Sequence, residues 1–463
     1  MAELLQFGKR KKDRRTDMCK KLFFSLFLAS VVVLSGCANE TVNNNNETEH
    51  VGNTNTDSTT NGEGEEKVIS SADKPLTNNE EIQEVRDLLW EEYIAEIQAD
   101  ETRKSEVETR EMEYGEVTMK YGMQIKGDPD ENGYPLYIAL HGGGGSDTPT
   151  INDQQWSHMS IYYVQSVKNG IYINPRGVRD TWDTHANPES FPLYDRLIEN
   201  MIAFYNVDPN RVYLVGFSAG GDGVYMITPK MTDRFAAANM SAGHPNGINL
   251  ANLYNMPIQL QVGMLDTAYN RHTVTAEYDA VLDKLAETYG GGYEHNVFVH
   301  TQYGHNFYDN KLSEQEVLKD PVAWLETGDT QTVTANTNAI HFLREYTREA
   351  LPERIIWEFT NRANMRDVES FYWLSASYDV TEGVIIASYD KATNSITIEE
   401  NSANGPVTVL ISNDMLDVFA PITVNTPEGS YEVTVTPDYE LLKSTTYERG
   451  DKNYQFVASI VIE

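Results

Sequence analysis

The stretch VYLVGFSAGG, residues 212–221, leads from a short apolar run directly into a Gly-x-Ser-x-Gly motif centred on Ser218. A buried strand followed by this motif predicts a sharp strand-to-helix turn that holds the serine hydroxyl above the edge of a sheet. The predicted helix begins at the serine, so its positive end favours an oxyanion that develops there. The strand before the motif and the small residues after it favour a nucleophilic Ser218 over an ordinary glycine-rich turn.

A second glycine-rich stretch, HGGGG, begins at His141 and directly follows another apolar run. Glycines at the carboxyl end of a strand allow backbone N–H groups to point at a substrate atom, as an oxyanion hole requires. We expect the N–H of Gly143 or Gly144 to act together with that of Ala219. A phosphate-binding loop is the alternative, but no Lys-Ser/Thr pair follows the glycines. His141 is expected to orient the loop rather than to act as a base.

A serine nucleophile needs a base, and the base needs an acid that orients it. The serine motif resembles that of the α/β-hydrolase family, in which the acid and then the histidine follow the serine along the chain. Asp266 comes just after the apolar run Ile258–Val262, and His305 comes just after the run Asn296–His300. Both positions are loops at the carboxyl ends of strands, where a parallel sheet gathers its functional groups. We predict Asp266 as the acid and His305 as the base.

Other residues compete for these two roles. Asp279 and Asp283 are alternative acids, although their place on a predicted helix favours ordinary solvation. His295 and His300 are alternative bases, and the position of His300 at the end of a strand favours packing over catalysis.

Strand and helix patterns alternate through residues 76–350, which predicts an α/β domain with a mostly parallel sheet and helices on both faces. A helix capped by Asn79 opens this domain. The later predicted strands and helices are Val117–Ile125, Tyr134–Leu140, Ile171–Asn174, Leu193–Tyr205, Val212–Val215, Phe235–Met240, Ile258–Val262, Glu277–Tyr289 and Asn296–His300.

The pattern changes after about Pro352, where apolar residues alternate with polar ones between turn residues. This predicts a small all-β sandwich over residues 351–463. Its predicted strands are Gly383–Tyr389, Ser395–Glu399, Val407–Ser412, Tyr431–Thr436 and Phe456–Ile462.

The segment Asp128–Gly133 begins like a calcium-binding loop. Ala139, however, stands where the bidentate glutamate of such a loop is required. A hairpin turn is therefore the preferred interpretation. The sequence indicates neither a metal nor an organic cofactor.

The motifs together resemble those of the α/β-hydrolase family, and more closely those of secreted esterases of the polyhydroxybutyrate-depolymerase and feruloyl-esterase kind. DPNRVY from Asp208, RFAA from Arg234 and SAG from Ser241 are similar to stretches around the nucleophile of those enzymes. The resemblance extends from about Thr118 to Phe307, so the C-terminal β domain lies outside it. It implies an extracellular serine hydrolase that cleaves carboxylic esters through an acyl-enzyme on Ser218, Asp266 and His305.

The N-terminus resembles a bacterial lipoprotein leader. Basic residues from Lys9 precede an apolar run, Leu22–Leu34, that is short for a membrane span, and the sequence LSGC then ends at Cys37. The resemblance implies a signal peptide over residues 1–36, lipidation of Cys37, and a body on the extracellular face of the bacterial cell membrane. Residues 37–75 are polar enough to predict a disordered linker.

Net charge and spacing limit the partners. The formal charge of -34 argues against a nucleic-acid partner, which needs a basic face. Little chain separates Ser218 from Asp266, so we expect an open site without a large lid, which suits bulky or polymeric substrates better than deep capture of a small lipid. The expected partner is a small-molecule or polymeric ester. Trp182, His244 and Tyr269 are candidate substrate-binding residues. A serine peptidase of the same fold and a non-catalytic surface binding lipoprotein remain alternatives.

Overall fold

The structure is a computed structural model that describes residues 76–145, 149–307, 314–362, 366 and 368–462. These residues belong to one compact unit, Ile69–Glu463. The predicted signal peptide, Cys37 and the predicted linker lie outside the described residues. None of the described helices combines the length and the apolar character that a bilayer span requires.

In the described part of the chain, ten strands form one mixed sheet in the order β1-β2-β4-β3-β5-β6-β7-β8-β9-β10. The six central strands, β4, β3, β5, β6, β7 and β8, are parallel. The outer strands β1 and β2 at one edge, and β9 and β10 at the other, pair antiparallel. The strands are β1 (Glu111–Tyr114), β2 (Val117–Lys126), β3 (Tyr134–Leu140), β4 (Gly170–Pro175), β5 (Val207–Phe217), β6 (Ala237–Ser241), β7 (Ile258–Gly263), β8 (His295–His300), β9 (Gln315–Leu318) and β10 (Thr332–Ala335).

Helices cover both faces of this sheet. The helices are α1 (Asn79–Ala99), α2 (Glu101–Thr109), α3 (Pro149–Tyr162), α4 (Ser190–Tyr205), α5 (Ala219–Ile227), α6 (Arg271–Tyr289), α7 (Pro321–Thr327) and α8 (Ala339–Leu343). Ile138 of β3 packs in a core with α4 and α5, whereas the next residue, Ala139, packs in a second core with α3 and α8. Successive side chains of a strand point to opposite faces, so a central strand of apolar residues needs cover on both sides. The predicted α/β fold is confirmed.

The C-terminal part forms further β-sheets with a shared core, as predicted. Within the described residues of 354–462, a five-stranded sheet has the order β11-β14-β15-β17-β18 and a four-stranded sheet has the order β12-β13-β16-β19. The elements are β11 (Arg354–Glu358), β12 (Ser370–Phe371), β13 (Leu374–Ser375), β14 (Val384–Asp390), β15 (Ser395–Asn401), β16 (Val407–Ile411), β17 (Ile422–Thr426), β18 (Gly429–Val433), α9 (Tyr439–Arg449) and β19 (Ala458–Ile462). The helix α9 departs from the predicted all-β composition.

Two local predictions were wrong. Asn78, rather than Asn79, caps α1, because its side-chain oxygen accepts the N–H of Glu81 at 3.0 Å. Residues Asp128–Gly133 do turn, but they do not form a hairpin, because β4 lies between β2 and β3 in the sheet. The strand that separates them comes later in the chain, so local turn residues do not reveal it.

Helix α1 packs against both parts of the molecule. Ile82 and Leu89 lie in the core of the C-terminal sheets, whereas Trp90 and Ile94 pack against the core of the ten-stranded sheet. The first described helix therefore joins the two cores in space, although it is far in sequence from the second. The division of the chain between residues 350 and 351 stays a prediction.

Buried charged side chains also join the two parts. They are Asp195, Asp233, Arg234, Arg348, Arg366, Arg449 and Asp451, each at most 8% exposed. Asp233 accepts from Arg449 at 2.5 Å and lies 3.5 Å from Arg366. Burial by itself raises the pKa of Asp233, but the nearby guanidinium groups outweigh it and hold that pKa at about 2.

We expect Asp233→Asn to lower the free energy of unfolding at pH 7 by roughly 3–5 kcal/mol, because it leaves the buried guanidinium of Arg449 without its countercharge. The folded-state pKa of Asp233 lies below the usual 3.8, so its carboxylate stabilises the fold above about pH 4, and this contribution is lost as the pH falls toward 2. The difference in the free energy of unfolding between wild type and variant should therefore become smaller toward pH 2.

Denaturant unfolding measured between pH 7 and pH 2.5 checks this expectation. Glu287→Gln, which removes a carboxylate from an exposed pair with Lys284, is the control and should leave the unfolding midpoint unchanged. If the free energies of unfolding of wild type and Asp233→Asn differ by the same amount across this pH range, the ionised carboxylate of Asp233 is not the source of the stabilisation.

Candidate active site

Ser218 occupies the turn between β5 and α5 with φ 58 and ψ -121. Two glycines allow this conformation. A Cβ on Gly216 would lie 2.1 Å from the carbonyl oxygen of Gly220, and a Cβ on Gly220 would lie 2.1 Å from that of Leu140. Both distances are far below van der Waals contact, so the glycines that flank Ser218 are required by the close approach of α5 to β3 and β5.

Ser218, His305 and Asp266 lie in one hydrogen-bonded line. The Nε2 atom of His305 is 2.9 Å from the Ser218 Oγ, and its Nδ1 atom is 2.7 Å from the Asp266 Oδ2. The Asp266 side chain is 1% exposed and that of His305 is 34% exposed. An Nδ1–H that donates to Asp266 leaves Nε2 free to accept the serine proton, which is the tautomer that nucleophilic catalysis needs.

The glycine-rich loop after β3 is held by Asn152. The N–H of Gly144 donates to the Asn152 side-chain oxygen at 2.9 Å, and the Asn152 amide donates back to the Gly144 carbonyl at 3.2 Å. The N–H of Gly144 is therefore used in fixing the loop. Gly143, at φ 111, is left as the more suitable of the two predicted oxyanion donors, together with Ala219 at the start of α5.

Asn152 is a residue that sequence reasoning missed. It is fully buried and also donates to Asp180 at 2.6 Å, while Asp180 pairs with Arg176 at 2.5 Å. Arg176 in turn pairs with Asp153 at 3.0 Å. The sequence offers no motif around this asparagine, and only the folded loop shows what it contacts.

His141 has a structural place in the same loop. Its Nδ1–H donates to the Gly142 carbonyl at 2.6 Å, and its Nε2 accepts the N–H of Gly177 at 3.0 Å. Burial lowers the pKa of His141 to about 4, which keeps the ring neutral. With both nitrogens engaged by the backbone, His141 holds the loop against the segment that follows β4.

The alternative acids and bases lie elsewhere. His295 is 3.4 Å from Asp279 and 3.7 Å from Asp283, so three of the four rivals pair with one another rather than with Ser218. His300 is fully buried, and its Nε2 lies 3.0 Å from the side-chain oxygen of Gln261. None of these side chains joins the line through His305.

The candidate substrate-binding residues have different surroundings. Trp182 is 55% exposed, and its backbone borders Gly144 and Gly145 of the glycine-rich loop. Tyr269 is 77% exposed and covers the guanidinium of Arg271. The backbone N–H of His244 donates to the side chain of Asp222 at 2.7 Å. The structure thus places Trp182 beside the glycine-rich loop, and Tyr269 over Arg271, which contacts Asp266.

Arg271 is a second residue that sequence reasoning missed. Its Nη1 lies 3.2 Å from the Asp266 Oδ1, the carboxylate oxygen that does not face His305.

Among the described residues, no group of three or more His, Cys, Asp or Glu side chains is arranged to hold a metal ion. The site can perform proton transfer and nucleophilic attack with its own side chains.

No family model matches the chain. Two curated proteins do. The chain is 28% identical over 114 residues to a bifunctional acetylxylan esterase/xylanase of Neocallimastix patriciarum, and the matched segment covers 24% of the chain and 16% of that protein. It is 29% identical over 130 residues to a probable feruloyl esterase C of Aspergillus niger, covering 27% of the chain and 46% of that protein. The chain spans less than half the length of each of these curated relatives.

Solved structures give weaker similarities. A thermostable esterase is 24% identical over 51% of this chain and 62% of its own, with a TM-score of 0.34. LpqC, a poly(3-hydroxybutyrate) depolymerase from Bordetella parapertussis, is 16% identical over 46% of this chain and 85% of its own, with a TM-score of 0.33. The predicted resemblance to esterases is confirmed by the curated matches, and their names agree with the predicted hydrolase class.

We expect Asp266→Asn to slow the reaction of Ser218 with a fluorophosphonate probe by up to about 10⁴-fold. The asparagine amide would donate to Nδ1 and leave the imidazole in the wrong tautomer to accept the serine proton. The measurement is the rate of covalent labelling. Asp279→Asn, which alters a rival acid beside His295, should label at the wild-type rate. Near-normal labelling of Asp266→Asn would assign the acid to another carboxylate.

Proposed function

We propose that this protein hydrolyses carboxylic esters through a covalent acyl-enzyme on Ser218. The observation that supports this most directly is the line of short contacts from Asp266 through His305 to Ser218, at 2.7 and 2.9 Å. It stands at the carboxyl ends of β5, β7 and β8, beside a glycine-rich loop after β3. The names of the curated relatives, which are esterases, support the same chemistry.

Acylation begins when the Ser218 Oγ attacks the ester carbonyl carbon and His305 takes the hydroxyl proton at Nε2. The carbonyl π electrons move to oxygen, and the N–H groups of Gly143 and Ala219 stabilise the resulting oxyanion. The tetrahedral intermediate then collapses, the carbon–oxygen bond to the alcohol breaks, and His305 returns the proton to the departing alkoxide oxygen. One such backbone donor typically contributes about 10²–10³ in rate.

Deacylation repeats these roles with water. His305 removes a proton from water as its oxygen attacks the acyl carbon, and the same N–H groups stabilise the second oxyanion. Collapse of this intermediate releases the carboxylic acid, and His305 returns the proton to Ser218. Through both halves the carboxylate of Asp266, which is nearly inaccessible to solvent, stabilises the positive charge on the imidazole.

We further propose that the ester is carried by a bulky or polymeric alcohol. The His305 side chain is 34% exposed, and Trp182, whose backbone borders the glycine-rich loop, is 55% exposed. An exposed aromatic surface next to the reacting group suits a substrate of which only a part enters the site. The names of the curated relatives, an acetylxylan esterase/xylanase and a feruloyl esterase, support this substrate class.

We expect the purified protein to hydrolyse one or more members of a panel of acetyl, feruloyl, aliphatic and hydroxyalkanoate esters, but not peptide amides. Ser218→Ala should reduce turnover to background, because it removes the nucleophile. Product release is measured for each substrate. Ser444→Ala, on the exposed side of α9, is the matched control and should retain full activity.

Each other outcome has a defined meaning. Cleavage of peptide amides without ester hydrolysis would favour the peptidase alternative. A wild-type protein that neither turns over esters nor reacts with a fluorophosphonate would favour the non-catalytic binding protein. Ester hydrolysis that persists in Ser218→Ala would overturn the proposed nucleophile.

We also propose that a lipid on Cys37 anchors the protein on the extracellular face of the bacterial cell membrane. The support is the sequence alone, with basic residues from Lys9, the apolar run Leu22–Leu34 and LSGC ending at Cys37. The net charge of -34 would repel an anionic membrane surface, so attachment needs a covalent or inserted anchor.

We expect Cys37→Ala to abolish incorporation of a clickable fatty acid in bacterial cells, because the acceptor thiol is lost. In-gel fluorescence of the captured protein measures it. Cys19→Ala removes the other cysteine of the chain and should leave incorporation unchanged. Labelling that survives in Cys37→Ala would exclude this anchor.

A further inference from the structure

We propose that Arg271, covered by the ring of Tyr269, is a positioning residue that extends the functional pH range of the site to lower pH. This inference rests on the proposed use of His305 as the base. Arg271 does not face the serine. It acts through Asp266, whose other carboxylate oxygen holds His305.

The contacts fix the acid from two sides. The Asp266 Oδ2 is 2.7 Å from the His305 Nδ1, and the Oδ1 is 3.2 Å from the Arg271 Nη1. The Asp266 side chain is 1% exposed and that of Arg271 is 13% exposed, so both charges are largely removed from water. Rotation of the carboxylate would break one of these contacts, and Arg271 therefore restrains the acid in the orientation that the imidazole requires.

The location of Arg271 is not explained by the stability of its helix. It is the first residue of α6, where the exposed N–H groups carry partial positive charge and a cation is unfavourable. The first turn of α6, which is described in full, contains no acidic residue to offset it. Among the described residues, the buried Arg271 Nε has no hydrogen-bond partner. The nearby carboxylate of Asp266 is the group that offsets this charge.

The backbone before Arg271 is strained in a way that covers the guanidinium. Tyr269 and Asn270 are consecutive non-glycine residues with left-handed φ angles of 55 and 58, a conformation that L-residues seldom adopt. This turn places the Tyr269 ring over Arg271, with the guanidinium carbon 4.9 Å from the ring centroid. The ring shields the cation on its outer side, and a shielded charge acts more strongly on its neighbours.

The physical consequence concerns the protonated form of His305. A negative Asp266 favours the imidazolium, and a cation on the far oxygen of the same carboxylate weakens that preference. Removal of this cation should strengthen the attraction of Asp266 for a protonated His305, and the acid limb of the reaction is therefore expected to lie at higher pH in a variant without it.

Other charged groups surround this pair. Asp222 on α5 is a partly buried carboxyl. Desolvation raises its pKa, while hydrogen bonds from His244 and Asn246 and the charge of Arg271 offset part of that rise. Its negative charge opposes the effect of Arg271 where it is ionised. His272, next in the chain, packs against Trp324 of α7. Arg271 is the cation in direct contact with the acid.

The test is the pH dependence of kcat/KM for an aryl acetate in wild type, Arg271→Gln, Arg271→Lys and Tyr269→Ala. We expect Arg271→Gln to move the acid limb, the fall of kcat/KM on the acidic side of the profile, to higher pH by about one unit. Loss of a nearby, partly buried charge has an effect of this size on a titrating group. Arg271→Lys keeps the charge and should retain the wild-type limb. Tyr269→Ala exposes the guanidinium to water and should move the limb part of the way. Arg344→Gln, in an exposed pair with Glu345, controls for net charge and should leave the limb in place.

An acid limb that stays in place in both Arg271→Gln and Tyr269→Ala, whatever happens to kcat, would overturn the proposal and leave Arg271 with a structural role. If Arg271→Gln does not fold, Tyr269→Ala on the surface still decides the outcome, because it leaves Arg271 in place and is expected to move the limb. If the wild type cleaves no ester, the proposed function fails separately, and the pH dependence of fluorophosphonate labelling of Ser218 reports the same limb.

Discussion

The candidate chemistry depends on one backbone constraint, the positive φ of Ser218 at the junction of β5 and α5. A central parallel strand must turn into a helix within one residue, and α5 then lies so close to β3 that a Cβ at Gly220 would overlap the carbonyl oxygen of Leu140. The strain is held by the buried strands on either side, because their cores leave no room for the turn to relax. The hydroxyl is thereby presented to His305 rather than to the interior.

The loops around this turn are fixed by polar side chains that the turn itself does not contain. Asn152 holds the glycine-rich loop through both the N–H and the carbonyl of Gly144, and Arg271 holds the acid. Asn152 thus fixes the residue next to the proposed donor Gly143, and Arg271 fixes the carboxylate that contacts His305. The hydrogen-bond donors of such a site must be oriented before the substrate arrives, since reorganisation during reaction would cost the stabilisation that they provide.

The C-terminal sheets are joined to the α/β part by buried charges as well as by apolar packing. Asp233 lies beside Arg449 of α9, which comes more than two hundred positions later in the chain. Buried ion pairs contribute little net stability over apolar packing, but removal of one partner is costly, so they restrict which surfaces can meet. In this molecule they specify the position of the C-terminal sheets against α4 and the segment before β6.

The sequence alone determined the central strands, the turn at Ser218 and the candidate residues of the site. Apolar runs of the right length predicted the central strands, and glycines around a serine predicted the turn, because strand periodicity and steric limits act between near neighbours. The positions of Ser218, Asp266 and His305, each just after a strand of the parallel sheet, predicted that they would meet. Only the tertiary structure decided that β4 separates β2 from β3, that Asn152 and Arg271 hold the site, and that α9 interrupts the C-terminal strands. These features depend on contacts between residues distant in sequence, and such contacts leave no periodic signal in either partner.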